Sequence, residues 1–344
     1  IIGNDYAIIA TDFTRRVSEV NTDHTAIISA ASAKAYKLSD GVQTAVNVSN
    51  DGGYSATPGN YNIVFSVGAE PTTNITITGH VDAGNAPILN VVPKVVQVPL
   101  NGSVNILDGV SATDVEDGAS LATPTANPSI IDTSISGVQI VTYTVVDSDG
   151  NTSNASRTYV IGNSIIGTNH AIIADDFIQR VAEVSLNSND MIAAANAKAY
   201  DLQTGELVNI TVKDTGGYQA AVGKYPISFA VTSDTSAEIS IIGTVVPDET
   251  IAIGDTHYIV AHDFTKKVSE TLGTTTEIIT ETNAKSYRLS NLTEDGTVTV
   301  SNLDGYTNAV GTYHPVLVSS EDATSTATIT GIIIPDNTIA VGDT

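Results

Sequence analysis

Hydrophobic and polar positions alternate with a period of two along much of the chain. Tyr61, Ile63, Phe65 and Val67 are separated by polar or smaller residues, and Ile75 and Ile77 by Thr76 and Thr78; Val46 with Val48 and Val298 with Val300 do the same. This is the pattern of strands with one face buried and the other wet. Between the runs lie turn formers such as Asn50-Asp51-Gly52-Gly53 and Ala56-Thr57-Pro58-Gly59. One stretch departs from the period. Over residues 25–32 Thr25 is placed to cap a short helix whose Ile27, Ile28 and Ala31 face inward. Short, regularly spaced strands without long helical periods predict a β-sandwich, with a β-barrel as the alternative.

The pattern itself repeats. Tyr6–Phe13 (YAIIATDF) matches His170–Phe177 (HAIIADDF) and His257–Phe264 (HYIVAHDF), and Ala33–Tyr36 (AKAY) matches Ala197–Tyr200 and Ala284–Tyr287. Gly53-Tyr54 recurs as Gly217-Tyr218 and Gly305-Tyr306, and Gly59, Tyr61 and Gly79 recur as Gly223, Tyr225 and Gly243, then as Gly311, Tyr313 and Gly331. From Tyr6 to His170, Lys34 to Lys198 and Gly79 to Gly243 the spacing is 164 residues; from the second copy to the third it is 87 at His257 and 88 at Tyr306. A spacing of 164 leaves room for one more module between the first two copies. The chain therefore divides into residues 1–82 (module one), 83–163 (module two), 164–247 (module three) and 248–336 (module four). Residues 337–344 start a further repeat, because Pro335–Thr344 resembles Pro247–Thr256. The expected fold is all-β: tandem sandwich modules in an elongated rod, each repeat with at most one short helix.

Charge narrows the function classes. The 38 acidic residues against 14 basic ones give a formal charge of −24, which repels nucleic acid and anionic membranes and attracts cations. There is no cysteine, which removes disulfides, thiolate metal sites and cysteine nucleophiles. Small exported domains from animals usually carry such a bridge, and this chain has none. No segment is apolar enough to insert in a membrane, and no leader-like stretch opens the chain. Met191 is the one methionine and residue 1 is Ile, so a slice of a longer array is expected, with any anchor outside it.

Two motifs in module two, Val110–Gly118 (VSATDVEDG) and Gly137–Asp147 followed by Ser148–Asn151 (SDGN), resemble the Ig-like domains found in tandem on Gram-positive surface proteins. The flanking copies, with IIAxDF, AKAY and GxY before an apolar strand, resemble stalk repeats of cell-wall-anchored Firmicute adhesins. The resemblance implies Ig-like sandwiches in a structural stalk that projects an adhesive region from the cell wall. Its partners would be neighbouring modules of the same chain and an extracellular ligand of unknown identity. Two other functions stay open: a self-associating subunit of a surface layer or fibre, or modules that themselves bind a glycan or host protein. For the last, Tyr54, Tyr218 and Tyr306 at loop positions are the place to look.

Candidate chemistry is sparse. The six histidines do not recur with a nucleophile and a carboxylate, and no phosphate loop or HExxH pattern is present, so no catalytic residue and no enzyme are expected. Asp114, Glu116 and Asp117 lie on one loop of module two, Asp147, Asp149 and Asn151 on another, and Asp82 in the incoming linker. An Ig-type sandwich brings both loops to one apex, where oxygen ligands suit Ca2+ as the one candidate cofactor. Asp, Asn and Gly are also plain turn formers. The corresponding loops of the repeats, with Asp40 and Glu70 or Asp201, Glu206 and Asp234, are poorer in acids. A third set recurs in every copy: Asp12, Glu19 and Lys34; Asp176, Glu183 and Lys198; Asp263, Glu270 and Lys285. Similarity to Gram-positive stalk domains suggests an amide between Lys and Asp, assisted by a buried carboxylate. That requires Lys34 to point inward with Tyr36 and Leu38; the alternative is a loose surface pair.

Overall fold

The computed structural model describes residues Ile1–Thr338; residues 339–344, most of the expected further repeat, lie outside them. The chain is all-β, and among the described residues its helices are short. The described residues form two compact units, 1–161 and 162–338. Four hydrophobic clusters lie within them, over residues 6–81, 89–161, 172–245 and 251–333.

Module one is a sandwich. One sheet holds Tyr6–Ile9, Lys34–Lys37 and Gln43–Thr44; the other holds Phe13–Arg16, Glu70–Asp82, Gly59–Val67 and Val46–Asn50 in that order. Ile8 and Ala35 from the first sheet meet Ile63, Phe65 and Ile77 from the second. The alternation in sequence thus maps onto inward and outward positions. Module three repeats both sheets, with Ser164–Ile166 added beside His170–Ile173. Module four keeps the pairing of Phe264–Lys267 with Gly331–Ile334 but divides the longer sheet into two of three strands each. Module two packs Val110–Thr113 and Ile88–Val91 on a sheet ordered Thr125–Asn127, Gly137–Val146, Thr152–Ile161 and Val95–Val98.

The recurring motif residues form one aromatic core per repeat. Phe13, Tyr54 and Tyr61 stack edge to face at 5.6 and 5.4 Å; Phe177, Tyr218 and Tyr225 at 5.7 and 5.6 Å; Phe264, Tyr306 and Tyr313 at 5.8 and 5.4 Å. Each such pair contributes about 0.5–1.5 kcal/mol beyond its buried area. Gly79 is the floor under Phe13: a Cβ there would lie 2.9 Å from Ile63 and 3.0 Å from Phe13. Gly243 under Phe177 and Gly331 under Phe264 repeat the contact. Tyr54, Tyr218 and Tyr306 are therefore buried and offer no exposed aromatic patch, contrary to the sequence expectation. The Gly52-Gly53 turn, with φ of +64° and +76°, folds Tyr54 back onto the core.

The short helix spans His24–Ala30, with Asp23 rather than Thr25 as its cap: Asp23 accepts from the Thr25 N–H at 2.7 Å. Ile27 and Ala31 are fully buried, while Ile28 is half-buried. Among the described residues no helix is long and apolar enough to cross a membrane.

Candidate functional site: the module junctions

Each repeat ends its Phe13-type strand in a tight 3-10 turn: Val17–Glu19, Val181–Glu183 and Val268–Glu270. Glu19, Glu183 and Glu270 close these turns by accepting the N–H of Arg16 at 3.1 Å, Arg180 at 2.8 Å and Lys267 at 3.1 Å. The turn then presents a free N–H to the junction where the chain leaves the module. Ser18 N–H donates to Asp149 at 2.7 Å, Ala182 N–H to Asp248 at 2.7 Å and Ser269 N–H to Asp336 at 2.9 Å. Asp248 and Asp336 are the residues after Pro247 and Pro335 in the repeated junction sequence.

At the first junction the acid has another origin. By the repeat spacing, Gly84 stands where Asp248 stands. A Cβ on Gly84 would lie 2.7 Å from Asp149 Oδ2, and its φ is +72°. The linker gives up its own carboxylate, and a turn of module two supplies one in the same place.

The acids expected at this apex do gather around the junction, but with partners. Arg16 Nη1 lies 3.4 Å from Asp149 Oδ2 and 3.8 Å from Asp117 Oδ1; those side chains are only 2% and 5% exposed. Asp117 also accepts from the Ser148 hydroxyl and N–H; these bonds and the Arg16 charge hold its carboxyl below the usual range. Asp147 accepts from Asn151 N–H at 2.7 Å and Asn151 Nδ2 at 3.0 Å, while that amide also donates to Ala83 O at 2.7 Å and Asn85 O at 3.4 Å. Asp82 accepts from Gly84 N–H at 3.2 Å. Asp114 Oδ1 accepts from Glu116 and Asp117 N–H, both at 2.8 Å, and Glu116 Oε1 accepts from Asn85 Nδ2. Asp114 Oδ2 and Glu116 Oε2 remain, buried and without a donor. Among the described residues no three acidic or histidine side chains converge into a metal cage.

The recurring Lys/Asp/Glu set is not assembled for an amide. Asp12, Asp176 and Asp263 accept the N–H of Thr78, Ile242 and Thr330 at 2.8, 2.7 and 2.7 Å, one residue before the glycine that pairs with the Phe. Lys34 and Lys198 are exposed; the inward residues of these strands are Ala35 and Ala199, so the lysine occupies the outward phase. Lys285 pairs with Glu294 at 3.0 Å, and this bond raises its pKa, the reverse of what a neutral amine nucleophile needs. The N–H of Arg180 likewise holds Glu183 low rather than protonated.

Two arrangements had no counterpart in the sequence expectations. A carboxylate after the long hairpin turn clamps the first strand of each copy. Glu70 takes the N–H groups of Asn4, Asp5 and Tyr6, Asp234 those of Asn169 and His170, and Asp322 those of Thr256 and His257. In module four, Lys266 pairs with Glu277 and Glu281, each at 2.9 Å. Burial works against the Glu277 charge, but Lys266 and two backbone N–H groups outweigh it and hold the acid low. Only an acid aligned across all three copies could have signalled the first; Glu277 has no acidic counterpart at Ala26.

No family model matches the chain, and no curated protein matches it. Among solved structures it is similar to Protocadherin Gamma B7 extracellular cadherin domains 1–4, at 11% identity over 80% of this chain and 83% of that one, with a TM-score of 0.19. It is similar to the Protocadherin gammaB7 EC3–6 cis-dimer structure at 12% identity over 96% and 100%, with a TM-score of 0.21. The CBM51-2 (with GlcNAc) and INT domains from Clostridium perfringens ZmpB match at 18% identity over 50% and 32%, with a TM-score of 0.18. Likenesses this loose carry nothing over to this chain.

Proposed function

We propose that the chain is a non-enzymatic structural segment of an extracellular bacterial surface protein, a stalk that holds an adhesive region away from the cell. The observation that supports this most is the junction latch. One backbone N–H in the 3-10 turn of each repeat is taken by a carboxylate at the module's exit, Asp248 and Asp336 from the junction sequence and Asp149 from module two, at 2.7, 2.9 and 2.7 Å. A hydrogen bond to a charged acceptor contributes about 1.5–3 kcal/mol, enough to restrain a linker of a few residues. Calcium enters the proposal at one place. Asp114 Oδ2 and Glu116 Oε2 lack donors, and a hard cation is what two buried carboxylate oxygens would take.

The test is a distance distribution between spin labels in modules three and four. It should be narrow in the parent and broaden with Asp248→Asn. A broad parent distribution that the substitution leaves unchanged would mean a flexible string, and the stalk reading would fall. A second reading, assembly into a layer or fibre, is supported by an apolar cleft of about 740 Å³ beside the edge strand Thr125–Asn127, next to Ile130, which is 81% exposed. Light scattering separates the two: a stalk stays monomeric as concentration rises, and an assembling subunit does not.

A further inference from the structure

We propose that module one carries a binding pocket for a small organic carboxylate, in the place where module four holds a carboxylate of its own. In module four Glu277 lies on the helix Thr275–Glu281, just before buried Ile278. Its Oε1 accepts from Lys266 Nζ at 2.9 Å. Its Oε2 accepts from Leu272 N–H at 2.8 Å, Gly273 N–H at 2.9 Å and Tyr306 OH at 3.1 Å. The side chain is 3% exposed, so the acid is an interior group with a full set of donors.

Module one keeps the donors and drops the acid. Arg15 follows Phe13 by two residues as Lys266 follows Phe264, and Tyr54 stacks on Phe13 as Tyr306 stacks on Phe264. Ala26 precedes buried Ile27 where Glu277 precedes Ile278. The result is a cleft of about 190 Å³ lined by Arg15, Tyr54, Ala26, Ile27, Asn21 and Glu19, among others. No described ion pair includes Arg15; its one described hydrogen bond is to the adjacent Thr14 O at 3.1 Å, and its guanidinium lies 5.9 Å from the Phe13 ring centroid. Tyr54 OH has no acceptor among the described hydrogen bonds, whereas Tyr218 OH donates to Gln179 and Tyr306 OH to Glu277. Glu19 at the rim turns its carboxylate to Arg16, 3.1 Å from the N–H and 3.6 Å from the guanidinium. A guanidinium and a phenol beside an alanine-sized gap are complementary to a carboxylate carrying a few carbons. The net charge of −24 opposes any anion, so binding should be weak and sharpened by salt screening.

The experiment titrates sodium acetate, and separately glucuronate, into the full chain carrying 15N-labelled arginine, with inorganic phosphate at matched ionic strength as control. The Arg15 Nε signal should shift saturably with a carboxylate and not with phosphate. Ala26→Glu should fill the cleft with an internal acid, keep the fold by circular dichroism and abolish the saturable shift. Tyr54→Phe, which keeps the ring stack, should weaken binding several-fold. Absence of a saturable shift, an equal response to phosphate, or undiminished binding in folded Ala26→Glu would each overturn the pocket. Acetate and glucuronate binding equally would assign the site to the carboxylate alone; tighter glucuronate binding would assign it to a sugar acid.

Discussion

The junction of modules one and two and that of modules three and four hold the same backbone N–H with acids of different origin. Ala182 is latched by Asp248, which belongs to the linker itself. Ser18 is latched by Asp149, from a turn far along in module two, while the linker residue in register is Gly84. The surroundings differ accordingly. Arg180 stays half-exposed, with Glu183 at 3.2 Å and its Nε on Thr250 O at 2.9 Å. Arg16 faces two nearly buried carboxylates. What persists between the junctions is a position for negative charge, not a residue. A linker acid makes a latch that any module can follow, whereas a turn acid makes one that only module two can close.

The sharpest way to break this comparison is to give the first junction the linker acid of the second. Gly84→Asp puts a side chain at φ +72° with its Cβ 2.7 Å from Asp149 Oδ2, and sets one carboxylate against another. Left-handed strain of about 1 kcal/mol, overpacking and charge repulsion together should cost roughly 3 kcal/mol. Asp248→Gly removes one charged hydrogen bond and, because that bond is exposed, should cost about 1.5–2 kcal/mol, the lower part of the range. Thermal melts of the two single variants give the ratio. Equal losses would mean that Gly84 is not there to make room.

Arginine distinguishes the junctions next. Arg16→Met keeps the apolar stem but leaves Asp149 and Asp117 without their cation. Breaking a fully buried pair costs about 3–5 kcal/mol; with Arg16 27% exposed, roughly 2 kcal/mol is expected. Arg180→Met breaks an exposed pair and one hydrogen bond and should cost about 1 kcal/mol or less. Denaturant midpoints of both variants measure this, and an equal effect would place Arg16 on the surface energetically.

Sequence periodicity carried the strands, the repeat and the aromatic residues, because Phe13, Tyr54, Tyr61 and Gly79 recur at fixed spacing in all three copies. It did not carry their direction. Tyr54 follows two turn glycines and looks like a loop residue, yet the turn returns it to the core. Lys34 shares a phase with Tyr36, and the alternate phase carries only the small Ala33 and Ala35, so the pattern left the inward face undefined. The acids of module two were visible as a cluster, but Arg16 lies 133 residues from Asp149, so nothing local announced the cation between the loops. Sequence spacing locates groups along a strand; only the sheet order decides which of them meet.

Calcium sharpens the comparison because, among the described residues, the buried carboxylate oxygens without a donor, Asp114 Oδ2 and Glu116 Oε2, lie at the first junction. If an ion joins Asp114 and Glu116, calcium raises the melting temperature of the full chain and a chelator reverses it, with about 2.7 kcal/mol available at one hundred times the dissociation constant. Glu116→Gln and Asp114→Asn should each remove the response, and Arg16→Gln should enlarge it by freeing Asp117 and Asp149. Asp248→Asn should leave it unchanged. An undiminished response in Glu116→Gln would move the ion elsewhere, and no response in the parent would leave the loops as hydrogen-bonded turns.

The smallest expected effect concerns the first-strand clamp, in which module one uses Glu70 and module three Asp234. The N–H groups of Asn4, Asp5 and Tyr6 hold Glu70 below its ordinary 4.5, and the Ser236 hydroxyl with the Asn169 N–H holds Asp234 well below 3.8. A carboxyl depressed in the folded state binds fewer protons there than in the unfolded chain. Its contribution is therefore complete above the unfolded value and is lost as pH falls from there through the folded one. Acid also neutralises part of the −24 charge and relieves self-repulsion, which acts in the opposite direction. The melting temperature of the parent alone mixes the two. The difference between parent and Asp234→Asn isolates the clamp: it should be constant above about pH 4 and shrink below it. The Glu70→Gln difference should begin to shrink at slightly higher pH, because the ordinary value of Glu is higher and its partners depress it less. A difference that stays constant down to pH 2 in both variants would show that the two acids hold their strands as neutral hydrogen-bonding groups, and that the clamps carry no charge-dependent stability.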